Sequence, residues 1–169
     1  GPLAIGADSY YFDENGILGT GWVNYDGAWH WLGTSGRIAT GWAKVADAWY
    51  YMDNSGAMTT GWTQVRGSWF YLADSGKMAT GWTKIGDSWY YFQESGAMAT
   101  GWTMIGGQWY LLSENGTVRT GWVRDGGAWY YHDASGAQLT GWQMVRGTWY
   151  YLGDNGLMRT GWVMVDGVW

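Results

Sequence analysis

The chain has 169 residues, enough for one ordinary domain, and a formal net charge of −5. That acidity suits a nucleic-acid backbone poorly, and no apolar run reaches the length of a membrane span. The absence of Cys removes disulfides and thiolate metal sites.

In chain order, Gly1-Pro2-Leu3 reads as the scar of a cleaved expression tag, and residues 1–8 as a lead-in without the features of a signal peptide. From Ser9 to Trp169 one pattern then recurs. Thr-Gly-Trp stands at Thr20, Thr40, Thr60, Thr80, Thr100, Thr120, Thr140 and Thr160, a spacing of twenty residues. A second Trp follows each first one at a constant offset, from Trp22/Trp29 to Trp162/Trp169. A Gly recurs in the same register from Gly16 to Gly156. A fixed period of this kind signals a stacked array, in which each unit buries its apolar face on its neighbours. The array comprises about eight units over 9–169, the last one truncated.

Each unit predicts a β-hairpin. In Gly61 to Leu72, two β-rich runs flank Arg66-Gly67, and other units place Asp26-Gly27, Gly106-Gly107, Gly126-Gly127 and Asp166-Gly167 there. Such pairs supply the positive φ of tight hairpin turns. A polar turn ending in Gly follows, as in Asp53-Asn54-Ser55-Gly56, and then an apolar residue, often Met. No segment has useful helical periodicity. The expected fold is all-β, a β-solenoid of tandem hairpins. Strand alternation puts Trp62, Trp69 and Tyr71 on one face and Thr63, Val65, Phe70 and Leu72 on the other. The first set reads as a ligand face and the second as core.

Aromatic faces attract cations, and quaternary ammonium groups suit them because their charge is diffuse and their methyls are apolar. Weak cages in a row match a polymer that carries repeated ligands. Packing is the competing use of the same rings, since Trp and Tyr also fill a small repeat that lacks aliphatic bulk.

Thr-Gly-Trp, a hairpin turn, Trp-Tyr-Tyr-Leu and Asp-x-x-Gly-x-Met together resemble the choline-binding (cell-wall-binding) repeat of pneumococcal-type surface proteins, autolysins and phage lysins. The copies in Thr40–Met58, Thr80–Met98 and Thr140–Met158 are the clearest. The resemblance implies a left-handed superhelix of hairpins with choline held between consecutive repeats. It implies a non-catalytic module that binds choline or phosphocholine on teichoic or lipoteichoic acid and anchors a parent protein at the bacterial surface. Neither a cofactor nor a metal is expected. Carried over, the cages are Trp22, Trp29 and Tyr51; Trp42, Trp49 and Tyr71; Trp62, Trp69 and Tyr91; Trp102, Trp109 and Tyr131; and Trp122, Trp129 and Tyr151. Trp82 and Trp89 meet Leu111 at the third position, which leaves that cage in doubt. Met58, Met78, Met98 and Met158 would form the floors. Trp142 and Trp149 lack a third ring, and the free ends leave homodimerisation or end-to-end stacking open.

Several residues depart from the pattern. Trp31 replaces the usual Tyr and is expected to pack or cap. Asp125 and His132 fall on the expected core face. His30 and His132 have no metal-ligand spacing, so packing is their expected role. The recurring acids Asp53, Asp74, Glu94, Glu114, Asp133 and Asp154 sit in turns, where Asp bonds its own backbone, and no nucleophile–base constellation is present. An α-glucan-binding module and an engineered solenoid without a ligand are the two alternatives. The constant Gly-Trp pair favours choline over glucan.

Overall fold

The computed structural model describes residues 1–169. It contains strands and turns but no helix. The strands are β1 (Pro2–Ile5), β2 (Asp8–Tyr11), β3 (Gly21–Tyr25), β4 (Ala28–Leu32), β5 (Gly41–Val45), β6 (Ala48–Met52), β7 (Gly61–Val65) and β8 (Ser68–Leu72). They continue as β9 (Gly81–Ile85), β10 (Ser88–Phe92), β11 (Gly101–Ile105), β12 (Gln108–Leu112), β13 (Gly121–Asp125), β14 (Ala128–His132), β15 (Gly141–Val145) and β16 (Thr148–Leu152). Each consecutive pair is its own two-stranded antiparallel sheet. The register is the expected one, with Trp62 opposite Tyr71 and Gln64 opposite Trp69.

Two compact units divide the chain: Gly1–Gly81 with Phe92–Met98, and Trp82–Tyr91 with Ala99–Trp169. The segment 1–8, expected to be a lead-in, forms β1 and the first residue of β2, so the hairpin series begins at Pro2. At the other end, residues 161–169 close only a turn, in which Val165 and Val168 exchange backbone hydrogen bonds.

Local chemistry sets the hairpins. Arg66 and Gly67 both have positive φ, 50° and 84°, as a type I′ turn requires. At Ala46-Asp47 only the first residue is positive, at 53°, which is the type II′ pattern. After each hairpin the chain folds back through a turn closed by a backbone bond from the recurring Gly, and in several repeats a side chain supports it. Asp53 Oδ1 accepts hydrogen bonds from Ser55 N, Ser55 Oγ and Ala57 N at 2.8, 2.6 and 3.0 Å. The Ser55 hydroxyl, ahead of the backbone donors, holds the Asp53 carboxyl below the usual carboxylate range. Asp133 makes the same set with Ser135 and Ala137.

Two contacts join one hairpin to the next. The carbonyl of the second Trp accepts an N–H from the following repeat: Met58 to Trp29 at 2.7 Å, Met78 to Trp49 at 2.8 Å and Met158 to Trp129 at 2.8 Å. The recurring Gly then makes room for the same apolar residue. A Cβ on Gly76 would stand 2.3 Å from Met58 Sδ, and one on Gly96 would stand 2.2 Å from Met78 Sδ. Gly56 forms the same notch for Ile38 and Gly136 for Val118. The register Gly therefore meets two demands, a left-handed backbone and a missing side chain.

In each unit the core is built from the last residues of successive second strands, from β4 onward. Leu32, Met52, Leu72 and Phe92 are fully buried in the first unit, and Leu112, His132 and Leu152 are buried in the second. His132 is the polar member. Its Nδ1 lies 2.8 Å from the Gly136 carbonyl and donates to it, which leaves Nε2 buried without a partner. Burial holds the His132 pKa below its usual value. His30 is also buried, stacked on Tyr25 with centroids 3.8 Å apart. Both histidines therefore pack, as expected. Asp125 does not join the core: it is exposed at a hairpin tip, and its Oδ2 accepts a 2.9 Å bond from Trp102 Nε1.

Gly56→Ala must strain the backbone and strike Ile38, so it should cost about 2–4 kcal/mol. Gly67→Ala, whose Cβ would meet nothing within 4 Å, should cost only about 1 kcal/mol for the same positive φ. Thermal melts of the two variants isolate the notch from the turn. His132→Leu should raise stability by about 1–2 kcal/mol at pH 7 by removing the orphaned Nε2. Because the folded pKa is depressed, wild type loses further stability as pH falls below about 6.5, where the unfolded chain gains a proton that the core refuses. The variant should show a flatter melting profile between pH 7 and pH 5.

Candidate functional site

Cavities recur where one hairpin meets the next. Trp22, Trp29, Tyr50 and Met58 wall a cavity of about 310 Å³, with Asp74 and Ser75 at its edge. Twenty residues on, Trp42, Trp49, Phe70 and Met78 wall a second of about 330 Å³, edged by Glu94 and Ser95. In the second unit, Trp102, Trp109 and Tyr130 line a smaller one of about 220 Å³ with Gln138 and Asn155.

Each wall has a structural reason. The two Trp stand on one face of a hairpin, at right angles in the second cavity, 6.5 Å between centroids at 90°. Across the gap, the next hairpin presents an aromatic edge-on: Trp22–Tyr50 at 4.9 Å, Trp42–Phe70 at 4.8 Å, Trp102–Tyr130 at 4.8 Å and Trp122–Tyr150 at 4.8 Å. The inter-repeat backbone bond places the floor, because Met58 and Met78 are the residues whose N–H groups reach Trp29 and Trp49. The second Trp stays available, with Trp29 48% and Trp49 41% exposed. The rings are thus held at their edges and open on a face, as a π-face cation site needs.

The expected Trp pairs and the floors Met58 and Met78 do come together, but the third ring is a different one. Tyr51, Tyr71, Tyr131 and Tyr151 pair within their own hairpins, directly opposite Trp42, Trp62, Trp122 and Trp142. Tyr51 lies 5.0 Å from Trp42 and Tyr71 5.4 Å from Trp62, so each braces the first Trp of its own repeat. Tyr91 does the same to Trp82 at 5.2 Å. The wall comes instead from Tyr50, Phe70, Tyr130 and Tyr150, one residue earlier and on the face assigned to the core. Alternation gives the two faces of a hairpin correctly, but the face turned inward on one hairpin closes the cavity of the hairpin before it.

This shift resolves the Trp82/Trp89 pair. Leu111 is a buried hairpin residue opposite Trp102, and the ring that meets Trp82 is Tyr110, at 5.0 Å. The signal was present in the sequence. The column Tyr50, Phe70, Tyr90, Tyr110, Tyr130, Tyr150 is aromatic without a break, whereas the column after it breaks at Leu111. Among the remaining expected residues, Trp62 and Trp69 stand 6.4 Å apart, and Met98 N bonds the Trp69 carbonyl in the same unit. Trp122 and Trp129 stand 6.3 Å apart, with Met158 tied to Trp129. Trp31 packs on Trp22 at 5.3 Å. Trp142 and Trp149 are 57% and 59% exposed, as expected for a pair with no following hairpin.

The choline-binding repeat family matches residues 39–80, 79–118, 119–158 and 139–169, and a putative cell wall binding repeat matches 20–38. The chain belongs to the choline-binding repeat family. Among solved structures it is similar to CbpJ from Streptococcus pneumoniae, at 40% identity and TM-score 0.89 over 94% of this chain and 58% of that one. It is similar to choline binding protein F from Streptococcus pneumoniae, solved in the presence of a peptidoglycan analogue, at 41% identity and TM-score 0.87 over 94% and 58%. The pneumococcal cell wall endolysin from phage Cp-1, complexed with choline, matches at 33% identity and TM-score 0.51 over 71% of this chain and 37% of that one. The chain thus spans 58% of the length of CbpJ. No curated protein sequence matches.

Phe70→Tyr should change stability by less than about 0.5 kcal/mol, since the other repeats carry Tyr in this wall. Phe70→Ala should cost about 2–3 kcal/mol and expose Trp42 to acrylamide quenching, which steady-state fluorescence reads directly.

Proposed function

We propose that these repeats hold choline on a cell-wall polymer and thereby anchor a parent protein at the bacterial surface. The observation that carries this reading is the recurrence, in one register, of a cavity with two indoles, a third ring and a Met floor. A trimethylammonium head matches that lining, because its methyls meet the Met and the ring faces while its charge meets the ring quadrupoles. Three rings at about 0.5–2 kcal/mol each give a single site of roughly millimolar affinity. Such a site is weak alone, but a polymer engaging several at once gains avidity from the spacing. Phosphocholine on teichoic or lipoteichoic acid is the polymer ligand that fits. The likeness to cell-wall proteins supports the location. No step of chemistry is assigned to these residues, and the module's work is binding.

Choline at millimolar concentration should raise the melting temperature and change tryptophan emission saturably, while equal sodium chloride does neither, because a ligand of the native state stabilises by mass action. Phe70→Ala should weaken choline at the Trp42/Trp49 cage roughly tenfold, and Tyr71→Phe should leave it within about twofold. A thermal shift with dextran and none with choline would replace this reading with a glucan-binding one.

A further inference from the structure

The edge of two of these cavities carries a charge that the aromatic cage does not need for its shape. Asp74 lines the Trp22/Trp29/Tyr50 cavity, and Glu94 lines the Trp42/Trp49/Phe70 cavity. Both come from the same register position, in the polar turn one repeat beyond the third ring. Neither is used by the turn itself. Turn-supporting carboxylates such as Asp53 and Asp133 sit one position earlier and have their oxygens engaged. The one ion pair in the molecule, Arg37–Asp8, is elsewhere. Two exposed carboxylates, free of salt bridges, thus stand at the mouths of two cages of the same build.

We infer that Asp74 and Glu94 are specificity-determining residues that select a cationic ligand over an uncharged one of the same shape and rank the cages within the array. This rests on the choline reading. Rings and Met recognise the apolar methyl shell, and a neutral trimethyl group would satisfy much of that surface. A carboxylate at the rim acts only on charge, so it adds Coulomb attraction for ammonium and nothing for its carbon analogue. Its effect is modest because it is exposed to solvent, and it weakens as salt rises. The other cages make an internal comparison. At this register position the Trp82/Trp89 pair has Ala134. The Trp102/Trp109 pair has Asp154 at the same position, although Gln138 and Asn155 are the polar residues that line its cavity. Choline should therefore fill the Trp22/Trp29 and Trp42/Trp49 cages before the Trp82/Trp89 cage.

The test compares choline with 3,3-dimethyl-1-butanol, its uncharged carbon analogue, on the full chain labelled with 5-fluorotryptophan. Fluorine NMR signals of Trp29, Trp49 and Trp89, assigned by substitution, report each cage separately. Asp74→Asn and Glu94→Gln should each weaken choline at their own cage roughly two- to fivefold and leave the neutral analogue unchanged. Ala134→Asp should strengthen choline at Trp89 by a similar factor. Raising sodium chloride from low to physiological strength should erase most of the difference between wild type and the two neutralised variants. Unchanged choline binding in both neutralised variants overturns the inference, and so does an equal loss of choline and the neutral analogue, which would make the two residues walls of shape only. Those results leave the choline reading standing. If wild type binds no choline at any labelled Trp, the reading falls and the inference with it.

Discussion

The molecule depends on one backbone hydrogen bond, from the residue after each polar turn to the carbonyl of the second Trp one hairpin earlier. A two-stranded hairpin is at best marginal in water, and each of these hairpins is a sheet by itself. Stability must therefore come from what joins hairpins to one another. The bond from Met58 to Trp29 fixes the spacing of two repeats, and the Gly76 notch then accepts the Met58 side chain because no Cβ stands in the way. The contact that stacks the repeats also positions the floor of the ligand cavity. Binding geometry and folding geometry are the same geometry, which explains why the period of twenty residues runs from Thr20 to Thr160 without insertion or deletion. An extra residue would move the floor away from its own rings.

Much of this was legible from sequence because the determinants are local. The Arg66-Gly67 turn, the strand alternation and the Asp53–Gly56 turn depend on residues within a few positions of one another. The Trp pair of each cage lies on one hairpin, so parity finds it. The third ring was not legible that way. Tyr50 and Tyr51 are neighbours on opposite faces of one strand, and their chemistry is nearly identical. Which of them meets Trp22 depends on how the second hairpin is turned relative to the first, a quantity set by the inter-repeat bond and the notch. The unbroken aromatic column from Tyr50 to Tyr150 was the available clue, since a wall used by every cage tolerates fewer exchanges than a brace.

The departures from the repeat in the second unit differ in consequence. Leu111 costs nothing at the cage, because its column only supports a Trp from behind. Gln138 takes the place of Met in the notch formed by Gly156, and its Nε2 reaches the Asn155 carbonyl at 3.3 Å. That floor is polar where the others are greasy. Asp125 has left the aliphatic pattern of its column and holds the Trp102 indole N–H. His132 keeps the core filled and leaves one ring nitrogen without a partner. The same scaffold thus tolerates polar replacements at the floor, at a hairpin tip and on the axis, provided the backbone register is kept.

Because the Trp22/Trp29 and Trp42/Trp49 cavities draw their indoles from one hairpin, their third ring and floor from the next and their rim carboxylate from the turn after that, a ligand bound there would touch three successive repeats. Peeling a repeat from an open end must therefore break the ligand's contacts in the same event that breaks the stacking. An occupied array should fray less from its ends than an empty one, and pulling on it should meet a ratchet of small, separate yields in place of a single rupture.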